Sequence, residues 1–175
     1  MNSILPALAV AVAIYAAITD VKARRIPNRL TYSAMVAGLV LQGILYGWKG
    51  LLLSVEGGLL FGGVFLLFYL VRAMGAGDVK LAAALGSIVG VSATLPVLFA
   101  TGLAGGALAI CFMVLSSRVV ETLLNTLWVT GFHLEHGLQV HPVVNLDNPA
   151  GGRMPYGLAF AVGTAYWALS LGWWG

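Results

Sequence analysis

The chain has 175 residues, of which 60% are hydrophobic and 9% are charged, and its net charge is +3. Soluble domains average about 25% charged residues, so this composition excludes a soluble globular protein with water on all sides. It predicts an all-α, polytopic membrane protein that forms a single domain over residues 1–175. The 23 glycines fit this class, because small residues let helices pack closely in lipid.

The first part of the chain contains three predicted transmembrane helices, since a helix needs roughly 20 apolar residues to cross a bilayer. The first covers residues 3–19. It lacks the basic start of a secretory signal, so we expect it to be retained as a span. The second and third cover residues 30–48 and 51–71, and the basic Lys49 separates them.

The later part of the chain contains three more predicted spans, which makes six. Residues 81–117 are uncharged and too numerous for one span. We therefore predict two short spans, separated near residues 90–96 by the helix breakers Gly90 and Pro96. Residues 154–175 form the last span, and the tryptophans near its end are typical of a membrane–water boundary.

The stretch from about residue 118 to 153 is the extended polar region of the chain. Residues 118–131 read "RVVETLLNTLWVTG", which places large apolar side chains at helical spacing: Val120, Leu123, Leu124, Leu127 and Trp128. This pattern predicts an amphipathic helix that lies on the cytoplasmic membrane surface. The residues that follow, "HLEHGLQVHPVVNLDNPAGG", are rich in turn formers and are predicted to form a loop.

Three histidines, His133, His136 and His141, lie in this polar region. A His-x-x-His pair with an acidic residue can bind zinc, and histidine can also titrate near neutral pH. The glycines and Pro142 leave no regular scaffold for a metal. We therefore favour an interfacial loop, predict no metal site, and leave the role of the histidines open.

Basic residues predict the orientation of the chain. All but one of the nine Lys and Arg residues fall on the same side of the predicted topology: Lys22, Arg24, Arg25, Arg29, Arg72, Lys80, Arg118 and Arg153. The exception is Lys49. The positive-inside rule makes the first side cytoplasmic, with both termini outside. In this orientation Asp20 and Asp78 both lie at the cytoplasmic boundary of the membrane.

Asp20 and Asp78 stand apart from the other acidic residues, which are Glu56, Glu121, Glu135 and Asp147. Both lie at the ends of predicted spans, where an ionisable group is by default a candidate functional residue. Position alone equally allows a helix cap or a solvated helix end. In "GAGD", we expect Gly75 and Gly77 to adopt conformations closed to other residues and to leave space beside the carboxylate of Asp78.

Two adjacent carboxylates can hydrolyse an amide by sharing a proton, because both cannot ionise easily. One then activates water while the other protonates the scissile bond. We assign the base role to Asp78, because the start of a helix favours negative charge, and the acid role to Asp20. The pair would titrate jointly, so these roles are interchangeable at this point.

Three segments carry a resemblance to a known family. "GAGDVKL" (residues 75–81) resembles the GxGD signature of intramembrane aspartic proteases, in the GxGDxK form of prepilin peptidases. "TDVKARRIPNRLTY" (residues 19–32) is similar to the first motif of the same family, and "RMPYGLAFAVG" (residues 153–163) resembles its C-terminal element. Two spaced motifs in a matched topology are far more specific than GxGD alone.

The resemblance implies that Asp20 and Asp78 are the catalytic pair of a prepilin peptidase in the bacterial inner membrane. It implies a pilin-like precursor as substrate, cut at the cytoplasmic face behind a short basic leader, with no metal or organic cofactor. Larger relatives also methylate the new N-terminus and carry paired cysteines, whereas this chain has only Cys111. We therefore expect a peptidase without methyltransferase activity, similar to the short tight-adherence (Flp-type) enzymes. Besides the substrate, we expect membrane lipid and no nucleic acid as partners, and leave the oligomeric state open.

Other residues near the aspartates have two interpretations each. Lys80 can steady the ionised Asp78 or meet an acid on the substrate, or it can be a basic anchor at the membrane boundary. Arg24 and Arg25 can contact substrate, or serve only as signals of topology. Asn28 can hydrogen-bond near the site, or help to begin the next helix. "PYG" (residues 155–157) is expected to shape the start of the last span.

Two other functions remain open from the sequence. A non-enzymatic ion or proton carrier, or a membrane subunit of pilus assembly, would also use carboxylates in a polytopic chain. It would not explain why both acids share one face beside GxG and Ile-Pro-Asn. A metal-dependent head-group transferase needs several carboxylates around a divalent ion, and only two lie at this depth.

Overall fold

The computed structural model describes residues 3–116, 119–139 and 154–170, with the backbone alone at residues 121 and 122. The regular elements of this part of the chain are all helices, with no strand among them, so the predicted all-α class is confirmed. Its helices are α1 (Ile4–Ala23), α2 (Asn28–Leu70), α3 (Ala76–Val89), α4 (Val91–Leu115), α5 (Val119–His136) and α6 (Gly157–Ser170).

Helix α2 turns back on itself at Gly47. A straight helix of its 43 residues would be about 65 Å long. Gly47 instead has φ 61° and ψ −146°, a conformation that favours glycine. A Cβ on Gly43 would lie 2.9 Å from the Leu51 side chain, and one on Gly50 would strike the Gln42 carbonyl. Since these pairs lie on opposite sides of Gly47, α2 is a hairpin with a first half (residues 28–46) and a second half (residues 48–70).

The helices agree with several predicted boundaries. The halves of α2 correspond to the predicted second and third spans. Gly90, with φ 74°, separates α3 from α4 as expected, whereas Pro96 lies inside α4 and breaks nothing. Among the described helices, α1, α2 and α4 are long and apolar enough to cross a membrane, and α6 is a shorter apolar helix. Helix α3 has 14 residues and is about 21 Å long, so the total of six spans stays a prediction.

Helix α3 is buried over most of its length and packs against both halves of α2. Its backbone passes close to both, because a Cβ on Gly38 or Gly57 would strike the α3 backbone. The last carbonyls of a helix have no partner within it. Here Ser54 Oγ donates to the Ser87 carbonyl at 2.7 Å, and Gln42 Nε2 donates to the Ile88 carbonyl at 3.0 Å. The hairpin therefore holds the end of α3 by polar contacts as well as close packing.

Helix α6 packs against α1 and α4. Phe160 is fully buried and its ring centroid lies 4.9 Å from that of Phe65 and 5.8 Å from that of Phe61, both in the second half of α2. This aromatic cluster joins α6 to the hairpin. The start of α6 thereby comes to the same end of the molecule as the start of α3.

Helix α5 has few contacts with the rest of the described chain, and these are with α4. Its large apolar side chains are exposed, including Val120, Leu127 and Trp128. The predicted amphipathic segment is therefore a helix, although its place on the membrane surface stays a prediction. The helix extends to His136, beyond the predicted end at residue 131, because its first positive-φ residue is Gly137. Residues 140–152 of the predicted loop, with His141 and Asp147, lie outside the described residues.

Candidate active site

Asp20 lies in the last turn of α1, just before the chain leaves the helix. Arg24 ends α1 in the left-handed conformation (φ 50°), and its N–H donates to the Asp20 backbone carbonyl at 2.8 Å. Pro27 is extended and directly precedes α2. The motif that begins with Asp20 therefore stops one helix and starts the next, as the sequence predicted.

The Asp20 side chain faces the beginning of α6. Its Oδ2 accepts a hydrogen bond of 2.8 Å from the N–H of Gly157, the first residue of that helix. The two residues are 137 positions apart in the chain. Among the described residues, this N–H is the hydrogen-bond partner of the Asp20 carboxylate.

The Asp78 side chain lies at the start of α3, in its first turn. Its Oδ2 accepts a hydrogen bond of 3.1 Å from the N–H of Gly75, the residue that precedes the helix. Asp78 therefore caps α3. This structural role and a catalytic role are compatible, because a carboxylate has a second oxygen with its own lone pairs.

The environment of Asp78 favours its protonated form. Asp78 precedes the apolar part of α3 and lies outside the candidate membrane-crossing helices. Burial raises its pKa from 3.8 to about 6, and the negative charge of Asp20 adds to the rise. The Gly75 hydrogen bond opposes both, but burial has the larger effect. The influence of Asp20 shows that the two carboxylates, from α1 and α3, lie near each other at one end of the molecule.

The glycines of the GxGD segment do not have the roles that we expected. Gly75 has φ −81° and ψ 153°, which is extended backbone open to any residue, and Gly77 does not have positive φ either. A Cβ on Gly77 would lie 3.3 Å from the Ile26 side chain, so the missing side chain makes room for Ile26. The expectation of open space beside Asp78 is therefore wrong at Gly77. Gly75 contributes its N–H to Asp78.

Lys80 contacts α2 and has no ion pair with Asp78 among the described residues. Its Nζ donates to Asn28 Oδ1 at 2.9 Å and lies 5.5 Å from the centre of the Tyr32 ring. Residues two apart on a helix point about 200° apart around the axis, so Asp78 and Lys80 face different neighbours. The interpretations of Lys80 from the sequence did not include this contact, which joins α3 to the first turn of α2.

Arg24 and Arg25 are exposed at the same end of the molecule. Neither side chain has a hydrogen bond or an ion pair within the described part of the chain. They are therefore available to lipid head groups or to a substrate, and these interpretations both stay open.

Gly157 is the site residue whose role the sequence did not predict. The segment "PYG" was expected to shape the start of the last span, and α6 does begin there. The contact of its backbone N–H with Asp20 could not be predicted, because a backbone donor leaves no signal in residue type. The one available hint was the resemblance of residues 153–163 to a family element.

The structure offers no metal site within its described residues, where no three His, Cys, Asp or Glu side chains form a group that could hold an ion. His133 and His136 lie on α5, and their Nδ1 atoms contact the carbonyls of Val129 and Phe132 at 2.8 and 3.2 Å. A cavity of about 480 Å³ lies elsewhere, near the start of α1 and the junction of α3 with α4. It is separate from the aspartates.

The comparisons with known proteins agree with this geometry. The model of the type IV leader peptidase family matches residues 7–110, which include both Asp20 and Asp78. No curated protein and no solved structure matches the chain. The family match covers more than half of the 175 residues. The chain therefore belongs to the type IV leader peptidase family.

Proposed function

We propose that this chain is a membrane aspartic endopeptidase of the GxGD type that removes the short basic leader from pilin-like precursors, with Asp20 and Asp78 as its catalytic pair. Membership of the family supports the peptidase class and, in general, a pilin precursor as substrate. One observation supports the pair most directly. Carboxylates from α1 and α3, distant in sequence, come together so that the charge of one raises the pKa of the other.

The contacts of the two carboxylates favour the reverse of the roles assigned from the sequence. Asp78, with its pKa raised to about 6 by burial, holds a proton more readily. Asp20 accepts an N–H from the first residue of α6, and such a bond stabilises an ionised carboxylate. We therefore assign Asp20 as the general base and Asp78 as the general acid. The first assignment relied on the helix dipole and did not include the burial that raises the pKa of Asp78.

The reaction then follows the two-carboxylate scheme. Asp20 takes a proton from water as the water oxygen attacks the scissile carbonyl carbon, while Asp78 gives its proton to the carbonyl oxygen. When the C–N bond breaks, the proton on Asp20 passes to the leaving amine. Asp78 recovers its proton from the hydroxyl of the intermediate as the new carboxylic acid forms. Both residues return to their starting states, so no metal or cofactor is required.

The proposed topology has six crossings, with the catalytic end in the cytoplasm and both termini outside the inner membrane. The reversal of α2 at Gly47 and the break at Gly90 support it, because each separates two apolar helical segments. Lys22, Arg24 and Arg25 lie beside Asp20 in the chain, and positive charge favours the cytoplasmic side. With Cys111 as its one cysteine, we propose a peptidase-only enzyme of the short, Flp-type form.

The test is to express the chain with a pilin-like precursor from a neighbouring gene and measure leader removal by mass. Asp20→Asn and Asp78→Asn should each lower the cleavage rate about 10²- to 10⁴-fold while membrane insertion persists. Glu56→Gln is the matched control, since it makes the same chemical change at an exposed carboxylate in α2. Continued cleavage by either aspartate variant would refute the proposed pair.

A chelator added to the same assay separates the peptidase from a metal-dependent transferase. EDTA should leave leader removal unchanged if the two carboxylates act without a metal. Cleavage that stops with EDTA and returns with a divalent ion would contradict the scheme. A chain that inserts but never shortens the precursor would instead favour the carrier or assembly alternative.

A further inference from the structure

We infer that Gly157 is a positioning residue for Asp20, and that the turn formed by residues 155–157 uses a backbone N–H to hold the Asp20 carboxylate in a fixed orientation. This inference rests on the proposed function and deepens it. It concerns a residue outside the family match, which ends at residue 110.

The contact itself is well suited to an anion. Gly157 begins α6, so its N–H has no carbonyl partner inside the helix. The start of a helix also carries partial positive charge. A bond of 2.8 Å to Asp20 Oδ2 therefore satisfies the donor and stabilises the carboxylate at once. Among the described residues, no other hydrogen bond fixes the orientation of this side chain.

The contact favours glycine because α1 and the start of α6 come close together. A Cβ on Gly157 would lie 3.0 Å from Ala17 Cα, 3.0 Å from Asp20 Cβ and 3.1 Å from Asp20 Oδ2. Those distances are shorter than ordinary van der Waals contact. A methyl group at this position requires its neighbours to move by a few tenths of an ångström, and a larger side chain requires more.

Tyr156 fixes the turn from the other side. Its ring centroid lies 6.3 Å from those of Phe65 and Phe160, in edge-on geometry. Its hydroxyl packs against α4, since a Cβ on Gly105 would lie 2.7 Å from the hydroxyl oxygen. The turn is thus held by α2, α4 and α6 while its next N–H points at Asp20. This arrangement connects the packing of the aromatic cluster to the orientation of the carboxylate.

Several charged and titratable groups lie at this end of the elements around Asp20. They are Lys22 on α1, Arg29 and Tyr32 on α2, Asp78 and Lys80 on α3, and Tyr156 before α6. Lys80 is engaged by Asn28 and Tyr32, and Asp78 is the expected proton donor. A change at Gly157 that alters none of these groups therefore tests the N–H contact itself.

The experiment compares Gly157→Ala with Gly157→Pro. Both add the crowded Cβ, but only proline removes the N–H, and proline is well tolerated at the first position of a helix. Proline also places its Cδ where the N–H hydrogen was, so replacing Gly157 by glycolic acid, which removes the N–H and adds no side chain, isolates the hydrogen bond. Hydrogen bonds to charged groups contribute enough that we expect kcat for Gly157→Pro to be about 10- to 100-fold below that of Gly157→Ala. KM should be similar in both, because the substrate contacts are unchanged.

The split between kcat and KM distinguishes positioning from a general structural defect. A misoriented Asp20 carboxylate lowers kcat and leaves KM unchanged. A smaller fraction of folded enzyme lowers only the concentration of active molecules, so kcat per folded molecule would stay the same. If Gly157→Pro does not fold, replacing Gly157 by glycolic acid removes the same N–H without adding a Cβ.

The outcomes separate this inference from the proposed function. Equal kcat per folded molecule for the matched pair, with Asp20→Asn inactive, would overturn the positioning role alone. Cleavage by Asp20→Asn would overturn the catalytic pair and this inference with it.

Discussion

The side chain of Lys80 donates a 2.9 Å hydrogen bond to Asn28, so the lysine that follows Asp78 belongs to the contact between α3 and α2. The Tyr32 ring, one turn further along α2, lies beneath the same ammonium group. Lys80 thereby fastens the start of α3, which carries Asp78, to the segment that follows Asp20. Lys80 therefore supports the packing around the site and does not pair with either carboxylate.

Loss of the contact between Lys80 and Asn28 should have a small effect on stability, and the effects of changing the two residues should not add. We expect Lys80→Met and Asn28→Ala each to lower the free energy of unfolding by about 0.5–1 kcal/mol, because the bond is exposed. The double variant should be no worse than the more damaging single one. Thermal unfolding in detergent measures this, and the cleavage rate should fall less than about 10-fold. Full additivity of the two changes would show that the residues act independently.

The pH dependence of cleavage should report the proposed acid. With the pKa of Asp78 raised to about 6, its proton is present below that pH and is lost above it. We therefore expect kcat/KM to fall as the pH rises through about 6, by roughly tenfold per unit. The measurement is a rate profile from pH 4 to 9 with a pilin-like precursor. A rate that rises through pH 6 would return the base role to Asp78.

The buried Asp78 should also make stability depend on pH. Its pKa is 3.8 ordinarily and about 6 in the folded chain, so the folded chain binds the proton more tightly. The stability gained from the protonated carboxyl is complete below pH 3.8 and is lost as the pH rises through 6. Asp78→Asn cannot ionise and should be more stable than wild type at pH 8, by up to about 3 kcal/mol relative to their difference at pH 4.

Thermal unfolding at the two pH values measures this difference, with Glu56→Gln as the matched control at an exposed carboxylate. Equal shifts for both variants would mean that burial of Asp78 is not the cause.

The close approach of the hairpin to α3 predicts which glycines tolerate a methyl group. A Cβ on Gly57 would strike the Gly86 carbonyl, whereas one on Gly63 meets nothing within 4 Å. Both lie in the second half of α2. Gly57→Ala should destabilise the protein by about 1–3 kcal/mol, and Gly63→Ala should be neutral or slightly stabilising because alanine favours helix. Melting temperatures in one detergent compare them, and similar values for both would argue against the packing described for α3.

Hydropathy, basic residues and motif spacing determined much about this protein. The all-α class, the break at Gly90 and the end of α1 after Asp20 followed from the sequence, because the length of an apolar run and the position of a helix breaker are local properties. The pairing of Asp20 with Asp78 was predicted from topology in the same way, since basic residues indicate which ends of the spans lie together.

Tertiary structure alone decided how the residues of the site contact one another. The Gly157 N–H reaches Asp20 across 137 positions, and the lack of a side chain at Gly77 accommodates Ile26. Neither contact produces a periodic pattern or a characteristic residue type that could be recognised in a single sequence. The proton preference of the pair was also decided there. Burial of Asp78 outweighs the Gly75 hydrogen bond, and burial depends on the helices that pack around a carboxylate, not on its neighbours along the chain.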